Sequence, residues 1–202
     1  MSTRGAIGFR SNRKDYIGYN HSDSYPSWLG VRVLADCRKL AKLKPETLSR
    51  KIGQLTVIGE GQIPTAAEKK KLARWNDFSV NAGDRDDWYC ILRKAQGSMY
   101  QTFKCGYIGD ATSFLKDSLF CEWAYILNAD NRTLEVYCGF NKNPKAKGRY
   151  AQFHDEAREK RYAELNKVPE DTYYGIRLVN TYSLDDLPTE AQFLKALEKF
   201  NS

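Results

Sequence analysis

The first twenty residues alternate apolar and polar positions in the way that is typical of a β-hairpin. Residues 3–10 place Ile7 and Phe9 on one face of a predicted strand, and residues 16–20 form the returning strand. The polar stretch 11–15 between them predicts a five-residue loop. The same period-two pattern predicts further strands at 122–127, 133–138 and 173–182.

Apolar residues spaced three and four apart predict helices between these strands. The two longest predicted helices cover 28–43 and 88–103. The side chains expected to pack them on the sheet are Leu34, Cys37, Leu92 and Met99. Shorter helices are predicted near 46–57, 66–75, 150–166 and 189–200. Strands at both ends and in the middle, separated by helices, predict a single α+β domain over 1–202, with a mostly antiparallel sheet flanked by helices.

Composition narrows the class of protein. A chain of 202 residues with 42% hydrophobic residues can bury a core without disulfides. Its five cysteines are widely spaced and odd in number, which favours reduced, buried thiols and a cytoplasmic location. Neither a signal peptide nor a membrane span is expected, so no membrane partner is predicted. The pattern indicates no metal site and no cofactor.

The densest group of chemically active side chains follows the first hairpin. Asn20, His21, Asp23 and Tyr25 lie within six residues, where a strand ends and a helix begins. One interpretation is an acid–base pair in which Asp23 orients His21. The other is a network that orders the loop and leads into the helix. Arg4 is expected to pair with Asp23, because the hairpin returns the chain to its start.

A second candidate is a short basic segment in the other half of the chain. It contains Lys142, Lys145, Lys147 and Arg149, and the whole chain carries a net charge of +7. Lysines and arginines beside aromatic residues are typical of contacts with a phosphate backbone or a nucleotide. The alternative is a solvated loop.

Common catalytic motifs are missing from the sequence. It has neither the lysine-containing phosphate loop nor the glycine run of dinucleotide-binding folds, neither a kinase signature nor a G-x-S-x-G elbow. These absences exclude the usual nucleotide-hydrolysing enzymes and esterases from the candidate functions.

Two stretches carry a resemblance. The opening T-R-G-A-I-G-F at 3–9 and the N-H-S-D-S-Y-P element at 20–26 resemble a group of small uncharacterised phage and prophage proteins. The resemblance implies a phage or mobile-element origin and supplies no activity.

The start of the chain also resembles N-terminal-nucleophile (Ntn) amidohydrolases. Removal of Met1 would expose Ser2, whose free α-amine could act as the base for its own hydroxyl. By this resemblance Asn20 would supply an oxyanion donor and Asp23 would orient the amine, with an Ntn-like layered fold.

Two main functional hypotheses follow, and a third class is a nucleotide-processing enzyme that uses His21 and Asp23 directly. In the first, the protein is a phage-type effector that binds a host or defence-system target without catalysis. The target would be a protein, an anionic nucleotide or a nucleic acid, and binding would use Arg4, the 20–25 loop and the 142–149 segment. In the second, it is an Ntn-like amidohydrolase or amidotransferase with Ser2 as nucleophile and Asn20, His21 and Asp23 in the site.

Overall fold

A computed structural model describes residues 3–166 and 172–200. Its largest feature is a five-stranded sheet in the order β2-β1-β5-β6-β7, with a separate pair, β3-β4. The strands are β1 (Gly5–Ser11), β2 (Lys14–Asn20), β3 (Thr56–Ile58), β4 (Tyr107–Gly109), β5 (Trp123–Asn128), β6 (Thr133–Cys138) and β7 (Arg177–Ser183). Neighbours in the large sheet are antiparallel, except that β1 and β5 run parallel.

Both predicted hairpins are confirmed, but the first has a tighter turn than the sequence suggested. Ser11 pairs with Lys14, which leaves only Asn12 and Arg13 in the loop. Both have positive φ, 51° and 61°, as a type I′ turn requires. Asp130, from the second hairpin, accepts hydrogen bonds from both backbone amides at 2.7 and 2.9 Å. The two hairpins therefore fix each other at this end of the sheet.

The helices are shorter than the sequence pattern predicts. They are α1 (Val31–Leu40), α2 (Pro45–Gly53), α3 (Ala66–Leu72), α4 (Trp88–Ile91), α5 (Met99–Cys105), α6 (Glu156–Asn166) and α7 (Glu190–Leu197). A π-helical turn, Pro26–Gly30, leads directly into α1. A capping box between Thr189 and Gln192 opens α7.

The single helix predicted over 88–103 is wrong. The chain forms α4, turns over residues 92–98 and starts again as α5. Gly97 adopts a left-handed φ of 68°, and the Ser98 hydroxyl accepts a hydrogen bond from the backbone N–H of Gln101 at 3.2 Å, which caps α5. The apolar spacing across this region spans two short helices.

Helices cover one face of the large sheet. There, Leu34, Cys37 and Met99 are fully buried with sheet residues, as predicted. Leu92 is also buried, but it packs in a separate cluster with Trp75 under β3 and β4, so its predicted place on the large sheet is wrong.

Irregular chain covers the opposite face. Ile126 and Tyr137 pack there with Leu115, Tyr150 and Ile176. The observed class is α+β with a mostly antiparallel sheet, as the sequence predicted. One face of the sheet is covered by helices and the other by irregular chain, and this arrangement does not support the Ntn-like layered fold.

The five cysteines are free thiols, and all are buried. Within residues 3–166 and 172–200, no helix is long and apolar enough to cross a bilayer.

Candidate functional site

A cleft of about 670 Å³ opens where β2 ends. Most of its lining comes from the end of β2 with its loop, the π-helical turn with the start of α1, the segment around α4, and β4 with the two residues after it. Ile7 on β1 and Thr102 on α5 complete it. The polar and aromatic residues that line it include Tyr19, His21, Asp23, Trp28, Arg32, Tyr89, Arg93 and Asp110. This volume lies within the range of small-molecule sites.

The 20–25 loop that forms one wall is ordered by hydrogen bonds. The Asn20 amide donates to the Ser24 hydroxyl at 2.8 Å and to the Ser22 carbonyl. The Ser24 backbone N–H donates to the Thr3 carbonyl at 3.2 Å, and the buried Tyr125 hydroxyl donates to the Ser24 carbonyl at 3.0 Å. Asn20 therefore holds the loop in shape, as the loop-ordering interpretation predicted.

His21 interacts with a residue that the sequence analysis did not select. Its Nδ1 lies 3.0 Å from the Tyr19 hydroxyl. Burial raises the pKa of the Tyr19 phenol, an effect that the positive charge of Arg4 opposes.

Asp23 lies in the cleft wall, and its backbone adopts a left-handed φ of 55°. The predicted ion pair with Arg4 is not formed among the described residues. The Arg4 guanidinium instead lies over the Phe120 ring, 4.7 Å from its centroid, and its backbone N–H donates to Glu122. Arg4 is thus outside the cleft lining and stabilises the sheet end.

Two arginines and two exposed aromatic rings stand in the cleft walls. Trp28 and Tyr89 are 60% and 42% exposed. Neither Arg32 nor Arg93 makes an ion pair or a side-chain hydrogen bond within the described chain. The Arg93 guanidinium lies 5.4 Å from the centroid of the Tyr89 ring, and its charge helps to lower the pKa of Asp77. These guanidinium groups are available to an anion.

A glycine brings two of the walls together. A Cβ at Gly97 would lie 3.3 Å from the Asn20 side-chain oxygen. The turn between α4 and α5 therefore touches the loop after β2, and the break that the sequence pattern missed is what closes the cleft on that side.

The basic segment lies outside the cleft lining, and its members differ. Lys145 and Lys147 are exposed. Lys142 lies over the Tyr173 ring, 5.1 Å from its centroid. The Arg149 guanidinium donates hydrogen bonds to two carboxylates of the sheet, Glu135 at 2.6 Å and Asp15 at 3.2 Å. Two carboxylates therefore already hold its guanidinium, and its role as a ligand-binding residue stays a prediction.

The remaining predicted site residues are Tyr25 and Ser2. Tyr25 is 44% exposed but is not part of the cleft lining. Ser2 lies outside the described residues. Among those that are described, no group of three His, Cys, Asp or Glu side chains could hold a metal ion.

Sequence reasoning missed Tyr19, Trp28, Arg32, Tyr89 and Arg93. One signal was present for two of them. Trp28 and Arg32 are four residues apart and fall off the apolar stripe that contains Leu34 and Cys37. Tyr89 and Arg93 have the same spacing, but nothing in the sequence indicates that they face the first pair.

Comparisons with protein-family models, curated proteins and solved structures found no match. The chemistry of the cleft therefore has to be argued from its own residues. They provide cations, stacking rings and a carboxylate around a volume that fits a small molecule.

Proposed function

We propose that the protein is a non-catalytic binder of an anionic ligand with an aromatic ring, of the nucleotide class, and that the cleft is its site. The proposal depends on one observation: Arg32 and Arg93 line the same cleft as the exposed rings of Trp28 and Tyr89. Neither arginine has an ion-pair partner in the described chain. The proposal narrows the wider set of protein, nucleotide or nucleic-acid targets.

The physical match is direct. Guanidinium groups bind phosphate oxygens through charge-assisted, bidentate hydrogen bonds. Indole and phenol rings stack on planar bases, and each stacked base contributes about 1–3 kcal/mol. Asp23, in the same cleft, can accept hydrogen bonds from sugar hydroxyls or from a base amino group.

Binding without catalysis is consistent with the hydrogen bonds that polar groups around the cleft already make. Asn20 is occupied in ordering its loop, and the Tyr19 hydroxyl is occupied with His21. The resemblance to phage proteins supplies the setting: the effector would hold a nucleotide of the host or of a defence system and thereby withdraw it.

The test compares two variants that lose the same charge. Calorimetric titration of nucleoside mono- and diphosphates into the unmodified protein should show binding. The Arg32→Gln/Arg93→Gln variant should bind at least about tenfold more weakly, because each charge-assisted bond contributes roughly 1.5–3 kcal/mol. Lys145→Gln/Lys147→Gln, which also removes two charges, should bind like the unmodified protein.

The control also decides between two sites. Weakening by the lysine variant alone would assign the ligand to the 142–149 segment instead of the cleft. If no nucleotide binds at all, the proposal is wrong.

The Ntn-like amidohydrolase stays as a second candidate because of one observation. Thr3 is hydrogen-bonded to Ser24, so the chain start lies beside the loop that contains Asn20 and Asp23. In this reading Ser2 is the nucleophile, and its amine must be free. A mature protein that retains Met1 by intact-mass measurement would exclude it.

A further inference from the structure

A row of aromatic rings begins at the cleft wall with Tyr19, the last residue but one of β2. Tyr19, which is 42% exposed, has its ring 5.9 Å from that of His21 and 5.1 Å from that of Phe114. Two residues after Phe114, the Lys116 ammonium lies 3.9 Å from the centroid of the Phe153 ring, which is 45% exposed. Phe114 and Lys116 lie in the same short 3-10 helix, Thr112–Lys116, so the rings at the cleft wall and the Lys116–Phe153 pair are joined by two residues of chain.

Positive charge accompanies this row. Lys116 is part of it, and Arg4 lies close enough to Tyr19 to oppose the rise in its pKa that burial causes. Two acidic residues beside the row accept hydrogen bonds from their own stretch of chain. Asp110 accepts hydrogen bonds from the Thr112 backbone N–H and hydroxyl at 2.9 and 2.7 Å, and Asp117 accepts one from the Phe120 N–H at 3.3 Å.

We propose that the ligand of the cleft is the terminal nucleotide of a single-stranded nucleic acid, and that the strand continues over Tyr19, Phe114, Lys116 and Phe153. Rings interspersed with cations are the arrangement that binds single strands without reading their sequence, since each base offers a face for stacking and each phosphate a charge. The inference rests on the proposed function, because it places one nucleotide in the cleft.

Chain length separates this inference from simple nucleotide binding. Single-stranded oligonucleotides of about eight residues, made of dT or of dA, should bind at least about tenfold more tightly than the matching mononucleotides. Their affinity should also fall more steeply with added salt, because more counterions are released.

A double variant tests the route. Lys116→Gln/Phe153→Ala should weaken oligonucleotide binding about tenfold or more and leave mononucleotide binding unchanged, since it removes one phosphate contact and one stacking ring. Lys145→Gln/Phe140→Ala is the matched control: it removes one lysine and one exposed phenylalanine (48%) outside the row. Thermal melting confirms that both variants are folded.

Each outcome has one meaning. Oligonucleotides that bind no more tightly than mononucleotides overturn the inference and leave the proposed function in place. If neither binds, the proposed function fails, and the inference fails with it. If only the control variant loses affinity for oligonucleotides, the strand does not pass over Lys116 and Phe153. Equal affinity for a duplex or for an oligoglutamate peptide would overturn the assignment to single strands.

Discussion

Glu135 is a carboxylate in the interior of the protein, with only 7% of the residue exposed, and three donors surround it. Asn128 donates at 2.8 Å, the Tyr137 hydroxyl at 2.9 Å and Arg149 at 2.6 Å. Arg149 also reaches Asp15, to which the Tyr150 hydroxyl donates at 2.7 Å. A buried charge is tolerated when it is paired and fully hydrogen-bonded, and Glu135 meets both conditions.

Arg149→Ala should therefore destabilise the fold by about 2–5 kcal/mol, because it leaves Glu135 buried without its cation. The measurement is the urea midpoint, with Lys147→Ala as the control from the same segment. The control should stay within about 0.5 kcal/mol of the unmodified protein, as exposed substitutions usually do. Equal midpoints for both variants would contradict a structural role for Arg149.

Arg149 also shows what neighbouring sequence positions cannot predict. Lys145, Lys147 and Arg149 are close in the chain and share a charge, so they were grouped as one basic segment. Their partners are decided by strands more than ten positions away: Glu135 lies on β6, and Asp15 on β2. No local pattern encodes which of the three meets these carboxylates.

At the scale of elements, the break between α4 and α5 shapes the cleft. Gly97 turns the chain with a φ of 68° and lies against Asn20. Because a side chain at this φ is strained, Gly97→Ala should cost about 1–2 kcal/mol, and it should also weaken nucleotide binding by pushing on the Asn20 loop.

Gly59→Ala is the matched control for this substitution. Nothing lies within 4 Å of a Cβ at Gly59, so its stability and binding should stay close to those of the unmodified protein. Thermal melting and calorimetric titration measure the two effects. A Gly97→Ala variant that melts and binds like the control would show that the turn is not constrained.

Elements with strong local signals could be predicted from the sequence. The hairpin of β5 and β6 has clear strands around a turn rich in Asn and Asp, and Thr189 with Gln192 is a capping box that structure confirms. The parallel pairing of β1 with β5 could not be predicted, because it joins residues more than one hundred positions apart. Apolar spacing alone also cannot distinguish one long helix from two short ones in series.

At the scale of the whole molecule, the cleft exists only after folding. Most of its lining comes from residues 18–23, 28–32, 88–97 and 107–111, with Ile7 and Thr102 in addition. The sequence marks the first stretch as a candidate site, whereas the second carries only the four-residue spacing of Trp28 and Arg32. The sequence could therefore place His21 and Asp23 in the candidate site but could not place Arg93 or Tyr89 in the same cleft. The arginine–aromatic composition on which the proposed function depends is a tertiary property.

Five buried thiols give the whole fold a pH dependence. Burial raises the pKa of Cys105 to about 11, and it raises the pKa of Cys37, Cys121 and Cys138 as well. An unfolded cysteine ionises near pH 8.5. A raised pKa in the folded state means that the unfolded state loses its proton first as the pH rises. The stabilisation is complete below about pH 8.5 and is lost as the pH climbs toward the folded values.

The urea concentration at the unfolding midpoint should therefore decrease as the pH is raised from about 7.5 to about 10.5. Cys105→Ala should show a smaller fall than the unmodified protein, because one of the titrating thiols is gone. The buried phenol of Tyr125, whose pKa is also raised by burial, adds to the fall only toward the upper end of this range. A thiol-reactive dye provides the independent check: it should react slowly with the folded protein at pH 8 and should count all five thiols in denaturant. A midpoint that holds constant or rises with pH, or a dye that reacts at once with the folded chain, would contradict burial of these thiols.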